Sequence, residues 1–210
     1  MNTTPQLLLL SGSQRQASFN VRLLNHIAQH LETSCSFLTA EPFAENLPLF
    51  NQDLENRPEV RAQVAELHAV FMACDGIVVA SPEYNGQLTP YLKNIIDWVS
   101  RLAYIDPSFQ NPFVDKPVLL CAASTGSSGG ATGIPSARAL FGYVGGLVFG
   151  ETLCVPLAHE AWTEAGRGPG LREVRHRHHL AGVQAQGIEP RRGHRLCQDQ
   201  SGGRAEGHFR

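Results

Sequence analysis

No apolar run in the 210 residues approaches the ~20 needed to cross a bilayer. Leu7–Leu10, the run nearest the N-terminus, has four. No basic residue precedes it and no small-residue cleavage site follows a proper apolar region, so a signal peptide is not expected. Paired cysteines are also lacking: Cys35, Cys74, Cys121, Cys154 and Cys197 are odd in number and never form C-x-x-C. Reduced thiols, several of them buried in strands, and a cytoplasmic setting are the expectation. Neither G-x-G-x-x-G nor G-x-x-x-x-G-K-[ST] occurs, which leaves a dinucleotide Rossmann loop and a P-loop ATPase without support. From Gly168 onward there is no Lys, Asn, Tyr, Met or Trp.

What is present reads as one globular domain, with 42% hydrophobic and 17% charged residues. From Gln6 to about Val155, short apolar runs alternate with amphipathic stretches. Leu7–Leu10, Cys35–Leu38, Ile77–Ala80, Val118–Cys121 and Leu147–Val155 are predicted strands. Between them, helical spacing links Val21, Leu24, Ile27, Ala28 and Leu31, then Val60, Val64, Leu67 and Phe71, then Leu92, Ile95, Val99 and Leu102. A fourth helix is predicted over 131–144. This order predicts an α/β, doubly wound, five-stranded parallel sheet with helices on both faces. Ligands of such sheets sit beyond the carboxyl ends of the strands, so the turns after each strand carry the chemistry.

Three of those turns are rich in Gly, Ser, Asn and Pro. The first holds Ser11, Gly12, Ser13, Arg15, Ser18 and Asn20 and runs into a helix, whose N-terminal N–H groups attract anions. Arg15 adds a planar, permanent charge suited to phosphate. An ordinary capped turn with Ser18 as N-cap fits the same residues. The second turn is Pro82-Glu83-Tyr84-Asn85-Gly86, where Tyr84 offers a flat surface to an aromatic ligand. A plain turn with Tyr84 half buried is the competing reading, and Glu83 reads as a surface or interface carboxylate before a general acid. The third turn begins Ser124-Thr125-Gly126 and continues to Gly130; alone, a glycine-rich loop is weak evidence.

Taken in order, Gly12-Ser13-x-Arg15-x-x-Ser18-x-Asn20, Pro82–Gly86, Pro90-x-Leu92-Lys93-Asn94-x-x-Asp97-Trp98-x-Ser100-Arg101 and the serine/glycine loop resemble the NADPH-dependent FMN reductase family. So does the Leu47–Leu54 connection. The resemblance covers roughly Gln6 to Arg167 and implies a flavodoxin-like fold. It implies FMN as cofactor, NADPH or NADH as donor, and a quinone or similar small acceptor. By it, Ser13, Arg15, Ser18 and Asn20 hold the FMN phosphate, Pro82–Gly86 contacts the flavin and its ribityl chain, and Ser124–Gly126 approaches the pyrimidine end. A homodimer or homotetramer is implied, with the helix after the second turn in the contacts. No essential acid–base side chain and no metal are expected. A flavodoxin-type electron carrier is the alternative, and near-neutral charge with Arg15 argues against it.

The last quarter departs from this pattern. Residues 1–160 carry a net −6 and residues 161–210 a net +4. The expected division is a domain over 1–167 and an atypical, disordered Arg/Gly/His-rich tail over 168–210. His176, His178 and His179 lack the carboxylate or cysteine that would complete a metal site, and a nucleic-acid arm is the weaker reading of the arginines. The composition is what out-of-frame reading of GC-rich DNA produces. A frame shift near Arg167 is therefore expected, giving an inactive reductase in the extreme case. The closing helix of the fold would then be missing or degraded, leaving one sheet face partly uncovered.

Overall fold

Each predicted strand forms, because an apolar run closed by turn residues has no better way to bury itself than between neighbours. The computed structural model describes residues 4–162. Its elements are β1 (Gln6–Ser11), α1 (Phe19–Leu31), β2 (Ser36–Thr39), α2 (Glu41–Ala44), α3 (Pro58–Ala73) and β3 (Gly76–Ala80). There follow α4 (Pro90–Ile105), β4 (Pro117–Ala123), α5 (Ile134–Tyr143), β5 (Leu147–Val155) and α6 (Ala158–Ala161). All strand pairs are parallel, in the order β2-β1-β3-β4-β5. The winding reverses between β1 and β3, and the crevice at their carboxyl ends is the natural ligand position.

Strand side chains alternate between two faces. Leu8, Leu10, Ile77, Val79, Val118 and Leu120 point to a core shared with α3, α4 and α5. Leu9, Val78, Ala80, Cys121 and Val155 point the other way, onto α1 and α6. This second face is thinner: Leu7, Phe37, Leu119 and Leu153 on it are only partly buried. The uncovered face expected from the sequence depends on the closing helix and lies with it outside the described residues.

Helix boundaries follow local chemistry. Ser18 caps α1, its hydroxyl oxygen accepting from the N–H groups of Asn20 and Val21. Pro58 and Pro90 occupy the first positions of α3 and α4, where no N–H is needed. The α1 stripe differs from the predicted one. Asn20, Leu23, Leu24 and Ile27 are buried, whereas Val21, Ala28 and Leu31 are half-buried. The stripe is rotated because Asn20, a polar residue, takes a core position. Short α2 was not predicted; four residues give no periodicity to read.

The domain limit at 167, the tail, its histidines and the closing helix fall on residues 163–210, outside the described residues.

Candidate cofactor site at the strand ends

The first turn is packed against the second by backbone chemistry. Gly12 donates its N–H to the Ala80 carbonyl at 2.8 Å and accepts from the Thr89 hydroxyl at 2.7 Å. A Cβ on Gly12 would lie 2.2 Å from Ser81 Oγ, so only glycine fits. Ser11 is buried, its hydroxyl donating to the Ser13 carbonyl and accepting from the Ser13 N–H. Ser13 Oγ accepts from the Arg15 N–H at 3.3 Å. Arg15 and Gln14 reach solvent. No hydrogen bond among the described residues engages the backbone N–H groups of Gln14, Gln16, Ala17 and Phe19. Four free donors therefore surround the positive end of α1.

The second turn is a two-residue reversal. Tyr84 and Gln87 exchange both backbone hydrogen bonds, and Asn85 and Gly86 take φ of 53° and 73°. Asn-Gly is the sequence this turn type demands. The reversal leaves the Tyr84 ring 54% exposed at the rim. Glu83 is half-buried, and its carboxylate accepts the Gly133 N–H at 2.9 Å, tying the second turn to the segment between the third turn and α5.

The third turn is tied to the first by Asn20. Its side-chain N–H donates to the Ala123 carbonyl at 3.0 Å and its oxygen accepts the Ala123 N–H at 2.9 Å. From below, Ser124 donates its N–H to the Val155 carbonyl at 3.1 Å, and its own carbonyl accepts the Ala158 N–H at 2.9 Å. Thr125 and Gly126 stand exposed. The three turns thus meet on one rim.

Of the side chains expected at the phosphate, Ser13, Arg15 and Ser18 retain donors, whereas Ser11 and Asn20 have their polar atoms engaged within the protein. Sequence reasoning missed three supports. Thr89 caps α4 while holding Gly12, and Thr-Pro ahead of an apolar helix was its signal. Glu41 accepts the Ser11 N–H at 3.3 Å, and the Gln14 side chain donates to the Glu45 carbonyl at 3.1 Å, joining α2 to the first turn. Those last two have no local sequence signal.

The thiols nearby, Cys121 and Cys154, are buried. Burial, with a smaller contribution from Cys154, pushes Cys121 up to about 12, and burial takes Cys154 up to about 11. The crevice under the turns, lined by Val79, Ser81, Leu88, Leu120, Gly130 and Ala137, has about 10 Å³, room for one water. No group of His, Cys, Asp and Glu that could hold a metal occurs among the described residues.

A doubly wound sheet with three such turns converging at its strand ends defines an α/β protein with exposed backbone donors, an arginine and a tyrosine ring on one rim. Residues 5–160 match the model of the NADPH-dependent FMN reductases, and the chain belongs to that family. It is 34% identical over 131 residues to the quinone reductase of Escherichia coli K12, spanning 62% of this chain and 66% of that protein. An NADPH:quinone oxidoreductase of Arabidopsis thaliana is 34% identical over 122 residues, 58% of this chain and 59% of that one. The chain thus spans just under two thirds of the bacterial relative. The solved structure of FerB, a flavoenzyme NAD(P)H:(acceptor) oxidoreductase from Paracoccus denitrificans, shares the fold. Its TM-score is 0.69 at 23% identity, over 85% of this chain and 94% of that one. The rim fits the family's FMN: free N–H groups and Arg15 suit a phosphate, and the exposed Tyr84 ring suits a flat ring system.

Proposed function

We propose that this chain is an FMN-dependent NAD(P)H oxidoreductase that reduces a quinone or similar small acceptor. When bound, FMN would supply the redox chemistry between NAD(P)H and the acceptor. The chain's own residues bind, orient and shield. Ser13, Arg15, Ser18 and the free N–H groups after Ser13 hold the phosphate. Ser11, Gly12 and Asn20 shape that loop. Pro82–Gly86 supports the flavin and ribityl chain through backbone groups and the Tyr84 ring, with Glu83 fixing the turn. Thr125 presents its backbone N–H to the ring's polar edge, while Ser124 and Gly126, their own N–H groups bonded within the protein, shape that loop. The single observation that carries this reading is Arg15 beside four unpaired N–H groups at the start of α1, on the same rim as Tyr84.

No side chain on the rim is assigned a proton-transfer step. A small-molecule acceptor is expected to enter over Tyr84 after the nicotinamide has left, which gives ping-pong kinetics. A homodimer or homotetramer in the cytoplasm completes the reading. Leu49 and Tyr104, 78% and 74% exposed beside and on α4, support a contact there. No helix among the described residues is long and apolar enough to cross a membrane.

The test is purification followed by a visible absorption spectrum and an NADPH-consumption assay with a quinone. A yellow protein that releases FMN on denaturation and turns over is the expected result. Bound FMN without turnover would favour an electron carrier, and a colourless protein that cannot be loaded with FMN would end the proposal.

A further inference from the structure

A second arginine stands at the first turn with no role assigned to it. Arg22 lies in the first turns of α1, four residues beyond the Ser18 cap, and is exposed. Its guanidinium carbon sits 5.7 Å from the centroid of the Phe19 ring, and that of Arg15 sits 5.6 Å from the same centroid. Phe19 itself stacks on Trp162, with centroids 6.0 Å apart and planes 22° apart. No carboxylate among the described residues is within ion-pair reach of either arginine. The other described arginines near acidic groups behave differently: Arg61 pairs with Asp106 and Arg101 with Glu55.

Both guanidinium groups meet the ring of Phe19, whose own N–H is one of the free donors, and no carboxylate among the described residues neutralises either. A phosphate monoester carries nearly two negative charges at neutral pH, more than one guanidinium and a helix end neutralise. We infer that Arg22 joins Arg15 as a second cation for the phosphate dianion of FMN, with Phe19, backed by Trp162, as the shelf that presents both. This rests on the FMN reading above and adds to it a residue and a selectivity: FMN over riboflavin, which shares the ring and ribityl chain but lacks the phosphate.

The experiment titrates the full chain into FMN and, separately, into riboflavin, following loss of flavin fluorescence, for the wild type, Arg22→Met and Arg22→Lys. Arg22→Met is expected to weaken FMN about tenfold, the range for a hydrogen bond to a charged group, while riboflavin binding stays unchanged. Salt should weaken FMN binding less steeply in Arg22→Met than in the wild type. Arg22→Lys should recover part of the loss. Arg22 is exposed, so a thermal melt within a few degrees of wild type confirms that the variants are folded. An unchanged FMN-to-riboflavin ratio in Arg22→Met, or equal weakening of both flavins, overturns the inference. A folded wild type that binds neither flavin instead overturns the proposed function itself.

Discussion

Gly12 is where the site is most tightly drawn at the scale of single residues. A methyl group there would collide with Ser81 side-chain and backbone atoms, the nearest at 2.2 Å, and the first turn would have to retreat from the second. Gly12→Ala is therefore expected to lower stability by about 1–3 kcal/mol and to weaken FMN at least tenfold, measured by thermal melts and flavin fluorescence. Glu83 is a milder case. Glu83→Gln keeps an acceptor for the Gly133 N–H, whereas Glu83→Ala leaves that donor unmet. The alanine variant should lose about 1 kcal/mol more than the glutamine variant, with no change in the pH profile of turnover. A large loss of turnover in Glu83→Gln, with a limb of the wild-type pH profile gone, would mean the carboxylate carries a proton in the reaction. Residue roles were only half legible in the sequence. Arg15 and Tyr84 could be picked out by chemistry, because a guanidinium and an exposed ring advertise what they bind. Asn20 could not be: its amide is turned inward onto Ala123, a strand distant in sequence, and nothing local records that.

At the scale of elements, the start of α4 does two things at once. The Thr89 hydroxyl is 1% exposed, donates to the Gly12 carbonyl and accepts from the Leu92 N–H. Thr89→Val keeps the shape and removes both bonds, so a loss of about 1–2 kcal/mol is expected in denaturant melts. FMN affinity should fall with it, because the first turn loses its anchor. The same helix receives the Leu47–Asn51 segment: the Pro48 carbonyl accepts from the side chains of Asn94 and Trp98 at 2.9 and 2.8 Å. Elements were the most legible level. Strands of four to nine residues with β-branched or leucine runs, and helices opened by Thr-Pro or Arg-Pro, announce themselves through periodicity and capping. α2 did not, since its four residues are held by Gln63 on the Phe43 carbonyl and by Glu41 on Ser11, contacts that exist only after folding.

Across the whole molecule, buried thiols and a phenol set the alkaline limit. Burial raises Cys74, Cys121 and Cys154, and burial with Glu41 and Glu45 raises Tyr91 to about 12. Unfolding exposes these groups, which then lose protons at their lower ordinary values. Their contribution to stability is complete below about pH 9 and disappears as pH climbs toward 11–12. The midpoint of unfolding should therefore fall between pH 9 and 11, and Cys121→Ala should flatten part of that fall. A midpoint independent of pH over this range would contradict the burial seen here. The global topology was legible because alternating elements leave few ways to wind a parallel sheet.

The margin of the sheet carries its own protection. Among the described residues no strand lies beyond β5, and its pairing with β4 slips between Val118 and Leu120, where Val148 and Thr152 are the respective partners. At this slip the Arg138 guanidinium covers the Phe149 and Gly150 carbonyls, at 2.6 and 3.1 Å. An open border of unsatisfied peptide groups invites another chain to extend the ladder, and a kinked border plugged by a cation refuses it. Arg138→Ala should accordingly raise light scattering on mild heating without touching flavin affinity, because the guard stands at the opposite fringe from the rim that holds the cofactor's phosphate.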